Sequence, residues 1–282
     1  MTVAFRIDSP GAARASLNSY WEYPKVRSWL LLWTAELPTC EGVVVTRGTD
    51  GWASVLATFM KSRGWTELLV RSDSTHETGA APRGGSVLGG RELMATVEGL
   101  LRQDRAVFAL EPLSPYSDAY SLSLVPDAAW RRWVIEIVGP GFDASDLKRG
   151  DVTPHETIEA DVQLPAEAVV LRRRVVADDR RQARSWLLRV AKVARQLKCP
   201  PAEVHRELQA RGEPMLVQPW RYPPIREALV ASVVRASYRA RGEVAARLLE
   251  PGAVVFSMSF VGHQARPVFW DIVVPSEKYR IG

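Results

Sequence analysis

Short β-branched runs alternate along this chain with stretches whose apolar residues recur at helical spacing. That alternation restricts the fold to the mixed α/β class. Gly42-Val43-Val44-Val45-Thr46 reads as a strand. From Trp52 to Lys61, the residues Trp52, Val55, Leu56, Phe59 and Met60 recur with a helical period. Glu67 to Val70 reads as the next strand, and a polar, glycine-rich loop follows from Ser72 to Gly90. Arg91 to Gln103 reads as a helix, and Ala106 to Leu110 as a strand that stops at Glu111-Pro112. Ala119 to Val125 and Trp133 to Val138 pair as a hairpin around Pro126-Asp127. Ala168 to Val176 is a further strand. A helix opens at Asp178-Asp179 and ends at Pro200-Pro201, where a short helix to Arg211 begins. Pro219 to Pro224 is a loop, and Ile225 to Leu249 reads as one long helix broken by Pro251-Gly252. Val254 to Val261 and Val268 to Val274 close the chain as strands.

Composition narrows the class further. Of 282 residues, 46% are apolar and 24% charged, which excludes a disordered or collagen-like chain. No apolar run approaches the ~20 residues of a membrane helix. The longest candidate, Ser28 to Leu37, is short and contains Glu36. The N-terminus has Asp8 and no apolar core of signal-peptide length, so a cytoplasmic protein is expected. Cys40 and Cys199 lie far apart and read as free thiols of a reducing compartment. The four histidines show no metal-ligand spacing, which argues against a zinc hydrolase. A net charge of +5 suits an anionic small ligand as well as nucleic acid. The Arg172-Arg173-Arg174 run lies on a strand and interleaves its faces, so it makes no simple nucleic-acid patch. Ten tryptophans would suit a contact between copies of the chain.

Several residues carry chemistry. Two glycine-rich segments adjoin strands: Ser72 to Gly90, with Gly84 and Gly85, and Gly139-Pro140-Gly141. Glycine lets main-chain N–H groups approach a phosphate closely, although neither segment has the P-loop or dinucleotide spacing. Strand Leu68-Leu69-Val70 delivers Arg71 into the first loop, where it either meets a phosphate or pairs with Asp73 or Glu77. Glu136 lies within Val134-Ile135-Glu136-Ile137-Val138, and Asp271 within Phe269-Trp270-Asp271-Ile272. A carboxylate among apolar strand residues is costly to bury unless it is paired or holds a cation. The alternative is that strand alternation sets both on a solvent face. His76 and His155 sit in polar stretches.

The order Lys25, Leu37-Pro38, Glu41-Gly42-Val43-Val44-Val45-Thr46, Leu69-Val70-Arg71-Ser72, Glu77 resembles the nucleotide-binding domain of phosphoenolpyruvate synthase and pyruvate phosphate dikinase. That domain belongs to the ATP-grasp superfamily. The resemblance implies that Lys25 and Arg71 contact ATP phosphates as the catalytic cations. It implies that the loop Arg83-Gly84-Gly85-Ser86 covers those phosphates. The main chain at Glu111 and Leu113 would hydrogen-bond the adenine, and Gly139-Pro140-Gly141 would be a degenerate glycine loop. Asp271 would hold Mg²⁺, with Glu136 as the second ligand. The lysine lacks the family's preceding glycine pair, reading Tyr23-Pro24-Lys25-Val26 instead, and Phe256-Ser257-Met258-Ser259-Phe260 has no carboxylate.

The expectation is a two-lobed ATP-grasp-like fold with the nucleotide cleft between lobes. Residues 1–110 would form the N-terminal lobe and 111–282 the C-terminal lobe. The expected chemistry is ATP-dependent activation of a carboxylate as an acyl-phosphate, then ligation to a small-molecule or peptide acceptor. Neither a nucleic acid nor a membrane is expected as a partner. Two alternatives stay open. One is a phosphotransferase domain of a phosphoenolpyruvate-synthase-like system. The other is a degenerate nucleotide-binding or interaction module.

Overall fold

Apolar residues at alternate positions of three central strands build the first sheet. The computed structural model describes residues 5–75, 85–113, 120–139, 147, 152–176, 215–216, 224–247, 254–261 and 266–273. These divide into two units. The first comprises Met1–Ser114, Ala240–Pro251 and Pro267–Val273, and the second Pro115–Arg239, Gly252–Arg266 and Val274–Gly282. The class is mixed α/β, with antiparallel sheets in both units.

The sheet of the first unit holds β1 (Phe5–Ile7), β2 (Gly42–Val45), β3 (Glu67–Asp73), β4 (Ser86–Gly89) and β5 (Ala106–Leu110) in the order β1-β2-β5-β3-β4. Every pairing is antiparallel. One face carries Val43, Val45, Leu68, Val70, Val107 and Ala109. Against it pack Leu56 and Phe59 of α3 (Trp52–Arg63) and Leu93, Val97 and Leu101 of α4 (Gly90–Arg102). Each such side chain contributes about 1.5–3 kcal/mol by leaving water. Helix α3 stops because Gly64 takes a left-handed φ of +68°, which lets the Trp65 N–H reach back to the Met60 carbonyl at 3.0 Å.

Two helices join this unit ahead of the first expected strand. Ser9 caps α1 (Pro10–Leu17), its Oγ accepting the Ala12 N–H at 3.3 Å with Pro10 in the first turn. Helix α2 (Pro24–Thr34) is buried at Val26, at Ser28 through Leu32 and at Thr34. Part of the short apolar run at Ser28 is therefore a core helix. Trp29 of α2 packs on Phe108, ring centroids 6.0 Å apart, so α2 covers the sheet face opposite α3 and α4. Gly42 is small for this reason: a Cβ there would lie 2.5 Å from Leu110 Cδ2 and 2.9 Å from Trp29 Cζ2.

In the second unit, five strands run in the order β10-β9-β7-β6-β12. They are β6 (Ser121–Pro126), β7 (Arg132–Val138), β9 (Glu156–Gln163), β10 (Ala168–Val176) and β12 (Val255–Val261). Strands β6 and β7 form the expected hairpin, with Ser123 opposite Glu136. A short parallel pair joins β8 (Val152–Thr153) to β11 (Met215–Leu216). Leu122, Leu124, Ile135, Ile137, Ile158, Ala160, Phe256 and Met258 are buried on alternating positions of one face. The opposite face of the β6–β12 pair carries Ser121, Ser123, Ser257 and Ser259.

Strand β9 is absent from the sequence reading, although Ile158, Ala160 and Val162 alternate with polar residues. The long helix expected from Ile225 to Leu249 is two: α5 (Glu227–Arg239) and α6 (Arg241–Arg247). The break comes at Ala240, where the chain passes from the second unit to the first, beside the poor helix former Gly242. The arginine run on β10 is matched by acids of β9. Arg172 pairs with Asp161, Arg173 with Glu159 and Arg174 with the buried Glu156. Strand β13 (Arg266–Val273) completes the described elements. The helices expected between Asp178 and Arg211 lie outside the described residues. No described helix is long and apolar enough to cross a membrane.

Candidate functional site

Strand β3 sends Leu68, Val70 and Ser72 to one sheet face and Leu69, Arg71 and Asp73 to the other. Register sets Arg71 opposite Phe108 and Asp73 opposite the small Ala106. The Arg71 guanidinium therefore lies over the Phe108 ring, 5.1 Å from its centroid. Its Nη1 donates to the Trp270 carbonyl at 3.1 Å. Gly85 closes on the stem of the same side chain, where a Cβ would come within 2.9 Å of Arg71 Cγ. Arg71 is thus half-buried and held from three directions. The guanidinium carries five N–H donors, so one bond to a carbonyl leaves donors for an anion.

The sequence offers Asp73 only as a salt-bridge partner of Arg71, and its described contacts are different. It is completely buried, and its carboxylate caps α2. Oδ2 accepts the main-chain N–H of Lys25 at 2.6 Å and of Val26 at 3.0 Å, while Oδ1 accepts the Ser74 N–H at 2.9 Å. Helix α2 supplies no capping side chain itself, because Tyr23 stands at its N-cap and Pro24 at its first position. Burial pushes the Asp73 carboxyl up, and the three N–H groups and the Lys25 charge act against that shift. Asp73 thereby ties the first turn of α2, with Lys25 as its second residue, to the strand that carries Arg71.

One turn further along α2, Ser28 meets β13. Its Oγ lies 2.5 Å from Asp271 Oδ1 and 2.9 Å from the Ile272 carbonyl, and it accepts the Ile272 N–H at 2.5 Å. A hydroxyl has one proton. Asp271 and the Ile272 carbonyl therefore compete for it. Two further bonds seat β13: Thr39 Oγ1 donates to the Phe269 carbonyl at 2.8 Å, and the Phe269 N–H to the Pro38 carbonyl at 2.7 Å. Lys25, Arg71 and Asp271, far apart in sequence, are linked in one unit through Asp73, Trp270 and Ser28.

The other expected site residues fall elsewhere. Just past β5, the Glu111 N–H donates to the Glu41 carbonyl at 3.0 Å and the Leu113 N–H to the Glu111 carbonyl at 2.7 Å. Both donors are engaged inside the first unit. Glu136 lies half-buried on β7 in the second unit, and burial pushes its carboxyl up. Gly139 is buried just past β7. Arg83, Gly84, Gly141 and His76 lie outside the described residues. His155 is not in a solvated loop. It is 2% exposed, beside Tyr120 at a centroid distance of 5.8 Å.

Among the described residues, no group of three or more His, Cys, Asp or Glu side chains could hold a metal ion. Mg²⁺ bound with a nucleotide commonly needs only one or two carboxylates, the phosphates supplying the rest. A lone Asp271 is compatible with that mode of binding. The serines facing Glu136 across β6 and β12 escaped sequence reasoning, and the Ser-Leu-Ser and Ser-Met-Ser alternation could have indicated them.

No family model and no curated protein matches the chain. Among solved structures it is similar to the D-alanine–D-alanine ligase of Coxiella burnetii at 8% identity and a TM-score of 0.43, over 88% of this chain and 46% of that one. It is similar to the Bacillus anthracis D-alanine–D-alanine ligase complexed with ATP at 11% identity and a TM-score of 0.40, over 89% of this chain and 54% of that one. A D-cycloserine synthetase gives 12% identity and a TM-score of 0.43, over 96% and 71% of the two chains. The chain spans about half the length of the two D-alanine–D-alanine ligases. At these values the likeness assigns no role to any residue.

Proposed function

We propose that the chain is an ATP-dependent enzyme of the ATP-grasp type that activates a carboxylate for ligation to a nucleophile. The observation that carries this reading is the set of links that joins Lys25, Arg71 and Asp271 within the first unit: Asp73 binds the Lys25 main chain, the Trp270 carbonyl takes the Arg71 guanidinium, and Ser28 bonds Asp271. Each is singled out by the resemblance to a nucleotide-binding domain. Two cations and a carboxylate linked in this way suit a phosphate chain with its counter-ion.

In this reading Arg71 and Lys25 bind the phosphates and offset the charge on the transferring group. Phe108 and the Trp270 carbonyl keep the guanidinium aimed while donors remain for the ligand. Asp271 would hold Mg²⁺, which would neutralise phosphate charge when bound. The main chain at Glu111 and Leu113 meets the adenine, and Gly85 keeps room beside Arg71. A substrate carboxylate oxygen attacks the γ-phosphorus, the bond to the bridging oxygen breaks, and ADP leaves. The nucleophile then attacks the acyl carbon, and inorganic phosphate departs.

The test is incubation of the protein with ATP, Mg²⁺, hydroxylamine and a panel of carboxylic and amino acids. ADP together with an acyl hydroxamate is the expected result. AMP with inorganic phosphate would replace the ligase reading by phosphoryl relay. Failure to bind any nucleotide would overturn the reading in favour of an interaction module.

A further inference from the structure

The first turn of a helix attracts anions, because its main-chain N–H groups lack partners and the helix dipole is positive there. In α2 that place is already taken. Asp73, fully buried, fills it with a carboxylate brought from β3, binding the N–H groups of the second and third residues of the helix, the first two that α2 has because Pro24 carries none. The same strand face carries Arg71 two residues earlier. We propose that Asp73 is the positioning residue of this site: it occupies the anion seat of α2 so that phosphate cannot, and it fixes Lys25 relative to Arg71. One strand then sets both cations, Arg71 directly and Lys25 through the carboxylate that grips its main chain. The nucleotide is left to the two side chains rather than to the helix terminus. Ser28 and its partner Asp271 follow from the same anchor, one turn along α2. This inference rests on the ATP reading above for its consequence and on the Asp73 contacts for its geometry.

Two measurements on the full chain separate the parts. The first is a double-mutant cycle in ATP affinity using Asp73→Asn and Lys25→Ala. Asparagine keeps the shape and one acceptor oxygen but loses the charge and the second acceptor. We expect Asp73→Asn to weaken ATP binding ten-fold or more. Lys25→Ala should then cost no more than a further two-fold, because a displaced lysine has little left to lose. If the two losses multiply independently, Asp73 is only a cap and the positioning role is refuted. If the wild type binds no ATP, the ATP reading fails and the positioning of Lys25 for a nucleotide fails with it.

The second measurement does not depend on ATP. Inorganic phosphate is titrated during thermal unfolding of the wild type and of Asp73→Ala, with Asp73→Ser as the alternative if the alanine variant does not fold. Emptying the seat should add to any response of the wild type a phosphate-dependent rise in melting temperature of several degrees. Equal responses in the two proteins would refute occupation of the seat by Asp73.

Discussion

Acidification should destabilise the fold through His155. Its ring is buried immediately before β9, and its main-chain N–H donates to the Ile137 carbonyl at 2.9 Å. Burial chiefly, and then the Arg174 charge, lowers the imidazole pKa from 6.5 to about 4, against an opposing contact with the Ile137 backbone. A depressed pKa means the unfolded chain binds the proton more readily. The contribution is therefore present above the unfolded value near 6.5 and lost as pH falls through about 4. Each tenfold difference in proton affinity between the folded and unfolded chains is worth about 1.4 kcal/mol. The loss is then roughly 1 kcal/mol near pH 5.5, about 2 near pH 5 and about 3 by pH 4. Asp73 and Glu136 act in the opposite sense, because a raised carboxyl pKa favours the fold as pH falls. Those two groups cancel in a comparison of the wild type with His155→Phe. Urea unfolding of both proteins across the acid range measures the difference. The wild type should lose ground to the variant by the amounts above. Parallel stability curves would refute the burial of a neutral imidazole.

Three other perturbations follow from the packing. Gly42→Ala drives a methyl group into Leu110 and Trp29 and should cost about 1–3 kcal/mol in urea unfolding. Arg174→Met strands the fully buried Glu156 and should cost about 3–5 kcal/mol, whereas Arg172→Ala, at an exposed pair, should cost no more than about 1 kcal/mol. Gly85→Ala presses on the buried Leu69 as well as on the Arg71 stem, so ATP affinity should fall several-fold together with a loss of about 1–3 kcal/mol in urea unfolding.

The elements legible in the sequence are those whose signal is local. Ala106–Leu110 stands as read because apolar residues run uninterrupted up to Glu111-Pro112, and Ala168–Val176 because Val169, Val170, Leu171, Val175 and Val176 flank its three arginines. Helix α2 is opaque for two physical reasons. Burial at most of its positions leaves it little polar face, so it lacks amphipathic period, and its cap comes from a residue far along the chain. Strand β9 hides its alternation behind a small Ala160 and the buried, ion-paired Glu156. For the candidate site, Lys25, Arg71 and Asp271 draw attention through their residue types and the family resemblance. No spacing rule brings them together. The links are main-chain groups of Lys25, Val26 and Trp270, which a sequence does not display as chemistry. Asp73 in particular reads as an ordinary loop-edge acid, and only strand parity with Arg71 hints at its placement.

The central claim is that Arg71 and Asp271 serve one nucleotide. Calorimetric titration of ATP into the wild type and into an Arg71→Ala, Asp271→Ala double variant, each with and without Mg²⁺, tests it most directly. The account predicts that the wild type binds ATP, that Mg²⁺ tightens binding, and that the double variant loses at least ten-fold in affinity together with the Mg²⁺ effect. Unchanged affinity in the double variant, or no binding by the wild type, would contradict it.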